Sequence, residues 1–280
     1  MSESSRWRLK VEHTTTYWYA SPAHSSYNEV RLIPMSTARQ TTMESSITTT
    51  PGSSPHRYKD YWGTTVVAFD IPGQHQELTV RSSAIVETKP PAIPTPAPWS
   101  VIHSDADSHI EFLTPSRYTT IPPGVAGIIH ELRTENPIAT VEKVAAWVNE
   151  SLRYVPGITG VSSTAGEAWE TGSGVCQDFA HLTLSVLRSL GIPARYVSGY
   201  LHSDSSEEGS TDAIGESHAW VEAWTGAWWG IDPTNLTATG LRHVLVARGR
   251  DYDDVPPVKG IYAGTADGAM DVEVRVSRIA

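Results

Sequence analysis

The sequence predicts an α+β protein: an all-β N-terminal domain of sandwich-like architecture, then a core that combines helices with antiparallel strands. Three observations carry this. Residues 7–88 alternate with period two and hold no helical stripe. Residues 89–98 form a proline-rich interruption. Beyond it, apolar residues recur at helical spacing before strand patterns return near residue 195. The predicted division is 1–98 for the β domain with its linker and 99–280 for the core.

Taken in order, the odd positions Trp7, Leu9, Val11, His13, Thr15, Tyr17 and Tyr19 make one face of a half-buried strand. Tyr27–Pro34 reads as a second strand. Thr42–Thr50 reads as a third, closed by the turn signal Pro51-Gly52. Arg57–Trp62 and Thr64–Ile71 form a hairpin about Gly63, and Gln76–Thr88 is a strand with a bulge expected near Ser82-Ser83. His13, His24, His56 and His75 are scattered, as packing or surface histidines are. Lys89–Pro98 carries five prolines and is expected to act as a semi-rigid polyproline spacer.

In the second half, Pro122–Glu131 is a predicted helix. A second helix, capped by Thr140, places Val141, Val144, Ala145, Val148 and Leu152 on one face. A third follows Gly174, with a stripe of Phe179, Leu182, Val186, Leu187 and Leu190, and ends at Gly191 and Pro193. Arg195–Leu201 is a strand. Ser203–Ser217 is polar and acidic, either a solvated connection or a gate, since it opens onto His218. His218–Trp224, a turn at Gly226-Ala227 and Trp228–Asp232 complete a hairpin.

Bulk properties exclude several classes of function. The formal net charge is −10, with no stripe of Lys and Arg, which argues against nucleic acid and anionic membranes as partners. No apolar run approaches the ~18 residues of a membrane span, and the N-terminus lacks the apolar core of a signal peptide. One cysteine excludes an internal disulfide and fits a reducing compartment, so a cytoplasmic location is expected.

That cysteine marks the chemistry. Gly172-Ser173-Gly174-Val175 leads into Cys176 at a helix start, where partial positive charge favours a thiolate and the glycines leave the Cys176 N–H free. Beside a basic partner such a thiol falls from ~8.5 to about 3.5–7.5. Thiol catalysis also needs an imidazole to carry the proton and a third group to fix its tautomer. His218, on a strand, and Asp232, at the end of the adjacent strand, supply both. His181 lies on the helix and is expected to pack, while His243 heads another strand without an evident carboxylate. A zinc site from Cys176, His181, His218 and Asp232 lacks the usual ligand spacing, and Asp251, Asp253 and Asp254 do not fit a Ca²⁺ loop, so no metal and no cofactor are expected.

The stretches GVCQDFAHL and LRSLGIPARYVSGYL, then ESHAWVEAW, WWGIDPTN and GRDYDDVPPVKGIY, resemble the transglutaminase-like superfamily in its bacterial and archaeal branch. EHTTTYWYASPAHSSYNEVRLIP resembles the β domain that precedes the core in those proteins. The resemblance spans about Trp7 to Tyr262. It implies a papain-like fold, with the cysteine at the start of a central helix packed on an antiparallel sheet. It also implies Cys176 as nucleophile, His218 as base and Asp232 as its orienter. Tyr154 stands where relatives carry an aromatic near the site, and Tyr154, Gln177 and Trp220 are the expected oxyanion or substrate contacts. Trp220, Trp224, Trp228 and Trp229 either wall a channel or pack the core. The implied reaction is acyl transfer from a peptide or protein amide, with an amine or water as acceptor. A purely hydrolytic cysteine protease or amidase, and a non-catalytic peptide-binding module, remain the alternatives.

Overall fold

Leu9, Val11, His13 and Thr15 are buried in alternation, and the strand they begin does not stop where the sequence predicts: β1 runs from Trp7 to Val30. The two expected strands are one because Ser25 takes a left-handed backbone, φ 50°, which moves the buried register from odd to even positions. In this computed structural model, residues 6–203, 216–265 and 268–280 are described. The gating expectation falls on 203–217, of which 204–215 lie outside them.

The first part of β1 pairs antiparallel with β5 (His75–Thr88), which pairs with β2 (Gln40–Thr50). Its last part pairs with β4 (Thr65–Ile71), which pairs with β3 (His56–Lys59). The two sheets sharing β1 enclose Val30, Leu32, Val67, Phe69, Leu78 and Val80. Gly63 has φ 78°, as the β3–β4 turn requires, and Asp60 Oδ1 accepts the N–H groups of Trp62 and Thr64 there. The bulge expected at Ser82-Ser83 is absent. β5 stays in register with β1 there, and the buried Ser82 hydroxyl is satisfied by the Leu32 carbonyl at 3.0 Å. The irregularity sits in β2, between Thr42 and Glu44.

After the linker come α1 (Trp99–Ser104), a 3₁₀ turn (Asp107–Phe112), α2 (Pro123–Ala126), α3 (Ile129–Leu132) and α4 (Pro137–Ser151). The single helix expected over 122–131 is two one-turn pieces, because Gly124 and Gly127 weaken it and Gly124 packs against the Trp169 ring. The cap of α4 is Asn136, not Thr140. The Asn136 Oδ1 accepts the Ala139 N–H at 2.9 Å, with Pro137 in the first turn, while Thr140 is buried inside the helix. Asn136→Ala is expected to lower the unfolding free energy by about 1 kcal/mol in urea titration.

β6 (Arg153–Tyr154), α5 (Ala165–Thr171), β7 (Ser173–Gly174) and α6 (Cys176–Ser189) follow. Then β8 (Ala194–Leu201), β9 (Glu216–Trp224), β10 (Trp228–Asp232), β11 (Thr237–Ala238) and β12 (His243–Gly249) form an antiparallel sheet, ordered β11-β10-β9-β8-β12. Ala219, Val221 and Ala223 of β9 join the core that contains the apolar face of α6. Trp220 belongs to a separate cluster with Met35, Val197 and Leu245. This is the papain-like arrangement that the resemblance implied: a central helix on an antiparallel sheet.

The chain then returns. β13 (Val258–Ala263) and β14 (Gly268–Arg278) both pair with β1, so these two strands, placed with the 99–280 core by the sequence, complete the N-terminal sheets. Leu9, Val11, Val86, Val274 and Val276 share one apolar cluster with α6, so the two regions bury surface against each other. Gln40 stitches them further: its amide donates to the Leu245 and Met35 carbonyls, and its Oε1 accepts the Leu245 N–H. Among the described residues, no helix is long and apolar enough to cross a membrane.

The remaining motifs pack. Trp224 and Trp228 meet His109 of the 3₁₀ turn, Arg195 lies over Trp228, and Trp229 is buried in the core. Asp253 pairs with Arg117 and Asp254 with Arg250, while Asp251 accepts the Asp253 N–H.

Candidate active site

The thiol is presented by a short chain of local decisions. Gly172, at φ 60°, ends α5 and turns the chain into β7, which pairs in parallel with β6. Val175 offers no side-chain acceptor at the start of α6. Asp178 supplies one from within the first turn: its Oδ2 accepts the Val175 N–H at 2.8 Å and the Thr159 hydroxyl at 2.6 Å. Asp178 is fully buried, and that burial raises its carboxyl above the usual range. A Cβ on Gly174 would lie 2.6 Å from Asp178 Cβ. This glycine therefore makes room for the capping carboxylate, a sharper reason than the free backbone expected from sequence. Cys176 itself is half-buried with a free thiol.

Cys176 acts on His218 from one side, as one of the two groups that raise the imidazole's proton affinity. On its far side, His218 Nε2 donates to Asp232 Oδ2 at 2.7 Å, so Nδ1 is the nitrogen left for the thiol. Burial alone would lower the imidazole's proton affinity. The hydrogen bonds and charges of Asp232 and Cys176 overcome that and raise its pKa to about 10. Burial works to raise the Asp232 carboxyl, but its hydrogen bonds with His218, His243 and Asn235 and the charge of His218 hold it far below its usual range.

Asp232 is fully buried and densely bonded. Its Oδ1 accepts the backbone N–H groups of Thr234 (2.9 Å) and Asn235 (3.1 Å). Its Oδ2 also accepts from Asn235 Nδ2 at 2.8 Å and from His243 Nε2 at 3.3 Å. The 233–235 turn is fixed in place by Asn149 of α4, whose amide donates to the Pro233 and Thr234 carbonyls. The expectation that His243 has no carboxylate is thus corrected. It shares the one that His218 uses, because β12 lies beside β8 and β8 beside β9.

The other expected contacts divide. Tyr154 is 45% exposed and stands beside Gly174 in the β6–β7 pairing, two residues from the thiol. Gln177 is buried, and its amide is committed to the Val161 carbonyl at 3.1 Å. Trp220 is buried, its ring edge against the His243 ring at 5.2 Å, and it lines a cavity with Glu222, Trp228 and Trp229. His181 packs between Tyr118 and Tyr196, with Nε2 accepting the Tyr252 N–H.

His181 is thus committed to aromatic packing and to the Tyr252 N–H. Among the described residues, the trio whose ligand atoms approach within 4.8 Å is His218, Asp232 and His243. Both imidazoles sit at N–H···O distance from the carboxylate. The second nitrogen of His243 accepts the Gly240 N–H at 3.4 Å, so the trio is arranged as a hydrogen-bond network.

Residues 127–233 match the model of the transglutaminase-like superfamily, and residues 9–87 match that of the bacterial transglutaminase-like N-terminal region. The chain belongs to the transglutaminase-like superfamily. An uncharacterized protein of Mycobacterium leprae is 46% identical over 279 residues, covering 98% of this chain and 100% of its own. The crystal structure of a Cytophaga hutchinsonii protein, provisionally assigned as a cysteine protease, superposes with a TM-score of 0.79. It is 24% identical and covers 99% of this chain and 92% of that one, so the fold is shared over nearly the whole length. The protein-glutamine gamma-glutamyltransferase of Pseudomonas aeruginosa is 33% identical over 110 residues, 36% of this chain and 16% of that enzyme.

Within this transglutaminase-like core, four residues escaped the sequence reading: Asn149, Asp178, Asn235 and His243. Asp178 carried a local signal, an acid two residues after the cysteine at a helix start. Asn235 carried another, an amide three residues after a strand-end aspartate. Asn149 and His243 depend on which elements lie side by side, and no local pattern gives that.

Proposed function

We propose that this transglutaminase-like protein catalyses acyl transfer from an amide or peptide carbonyl through Cys176, His218 and Asp232, by way of a thioester. The observation that carries the reading is the setting of one imidazole: Nε2 is held by Asp232 at 2.7 Å, and Cys176 is the other group that raises the ring's proton affinity. That orientation leaves Nδ1 to exchange a proton with the thiol and then with the leaving group.

In this scheme the Cys176 thiolate attacks the carbonyl carbon and the C=O π pair moves onto oxygen. The tetrahedral intermediate collapses, the C–N bond breaks, and the imidazolium of His218 gives its Nδ1 proton to the departing amine. Acyl-Cys176 remains. An incoming amine or water is then deprotonated by His218 Nδ1, adds to the thioester and expels the thiolate. Atoms balance as amide plus amine giving new amide plus amine, or amide plus water giving acid plus amine. Tyr154 is exposed, carries a polar tip and pairs beside Gly174, and its proposed role is contact with the acyl oxygen or the substrate beside it.

The test is intact-mass trapping of the acyl-enzyme with glutamine peptides and other amides, with and without a primary amine. An adduct on wild-type protein that is absent from Cys176→Ala, and that moves to the amine, is the expected result for transfer. Product acid at every amine concentration would mark a hydrolase. No adduct and no product with any amide would refute the reading.

A further inference from the structure

The carboxylate that holds His218 also receives an N–H from a second imidazole that the reaction scheme does not use. Asp232 Oδ2 lies 2.7 Å from His218 Nε2 and 3.3 Å from His243 Nε2. His243 is buried, and its tautomer is fixed from behind: the Gly240 N–H points at Nδ1, so the proton sits on Nε2 and is donated to Asp232. Asn235 Nδ2 adds a third N–H to the same oxygen.

We infer that His243 is a positioning residue for the proposed triad, a neutral N–H donor that shares Asp232 Oδ2 and so tempers how strongly Asp232 holds the proton on His218. This rests on the reading of Cys176, His218 and Asp232 as catalytic.

The physical argument has three steps. Each N–H given to a carboxylate oxygen withdraws electron density from it and weakens the remaining hydrogen bonds to that oxygen. A carboxylate bonded by His218 alone would hold the imidazolium more firmly and make it a poorer donor to the leaving amine, since a general acid works best with a pKa near the working pH. A neutral donor does this without placing a second positive charge beside the first, which requires that His243 stay unprotonated while His218 is charged. The environments divide the two rings in that sense. Burial lowers the proton affinity of His243, and the charges of His218 and Arg242 lower it further, against the opposing pull of Asp232. His218 faces Asp232 and Cys176, both of which raise it. Two imidazoles on one carboxylate, pushed in opposite directions, are the arrangement expected of one proton carrier and one fixed donor.

The geometry also explains how the two rings meet. They stand 6.4 Å apart, centroid to centroid, on β9 and β12, with β8 between them. At the level of His218 the intervening residue is Gly199, paired to His218 on one side and to Leu245 on the other. With no side chain there, the Trp220 ring lies over Gly199 and edges onto His243.

The test compares full-length wild type, His243→Gln and His243→Phe. Glutamine can place an N–H where Nε2 stands; phenylalanine fills the space without a donor. The readout is the ¹⁵N titration of the His218 ring, assigned with His218→Ala, together with the thermal midpoint of each variant. His243→Phe is expected to raise the His218 midpoint by about half a pH unit, a roughly threefold change in proton affinity, and His243→Gln to restore the wild-type value. If both variants leave His218 where it is in wild type, or shift it equally in step with lost thermal stability, His243 is only structural and the inference is overturned. Failure of the triad reading shows separately, as wild-type Cys176 alkylation that His218→Ala does not slow.

Discussion

Asp232→Asn is expected to reduce acyl turnover by about 10³–10⁴-fold while the chain still folds, by analogy with the loss seen when the orienting aspartate of a serine triad is replaced. The asparagine has nearly the same volume, and its oxygen can keep the N–H groups of Thr234 and Asn235 that now bond Oδ1. Its NH₂ would face His218 Nε2, which must then become an acceptor. The ring proton moves to Nδ1, and the nitrogen that should take the thiol proton is already occupied. The same substitution changes how stability responds to pH. His218 is raised from 6.5 to about 10 in the folded chain. Its contribution to stability is therefore complete below about pH 6.5 and is lost as pH rises toward about 10, because the folded state holds a proton that the unfolded state has released. The wild-type thermal midpoint should fall across that window, and the slope should flatten in Asp232→Asn. An Asp232→Asn protein with near wild-type turnover, or with an unchanged slope, would contradict the geometry described for this carboxylate.

Gly199→Ala is the substitution expected to cost most in stability. A Cβ at this position would fall well inside contact distance of the Val244 carbonyl oxygen, and the Trp220 ring would lie only 2.5–2.9 Å away. The carbonyl belongs to the neighbouring strand and cannot rotate aside, and Trp220 is buried. Overpacking of this kind costs about 1–3 kcal/mol and occasionally more. Here relief requires β8 and β12 to separate, which also pulls His243 from Asp232. A drop of about 3 kcal/mol in urea unfolding is expected, or loss of soluble protein. Gly52→Ala is the control: its added Cβ has nothing within 4 Å, so it should change stability by less than about 0.5 kcal/mol. Equal effects at the two glycines would show that the packing around Gly199 is looser than described.

What was legible in the sequence was what local pattern determines. The stripe from Phe179 to Leu190 and the stop at Gly191 define α6. The alternation through His218–Trp224 and the Gly226 turn define the β9–β10 hairpin, and that hairpin sets His218 against Asp232. Asn136 is equally local, an asparagine followed by proline ahead of the apolar run, but Thr140 stands nearer the first periodic residue and masks it. Where pairing is remote, pattern fails. Nothing near residues 258–278 announces that they pair with residues 9–30, and the phase change at Ser25 made one long strand look like two. His243 is the functional instance: its partner lies eleven residues earlier in sequence, on a strand separated from β12 by two others, and only the order β10-β9-β8-β12 brings them together.

The most direct measurement of the central claim is the rate of Cys176 alkylation by iodoacetamide near pH 6, in wild type and in His218→Ala. An ordinary thiol of pKa ~8.5 is almost wholly protonated there, whereas a thiolate paired with an imidazolium is not. The account predicts fast single-site labelling of the wild type and a rate at least tenfold lower in His218→Ala. Slow labelling of the wild type, unchanged by the loss of His218, would contradict it.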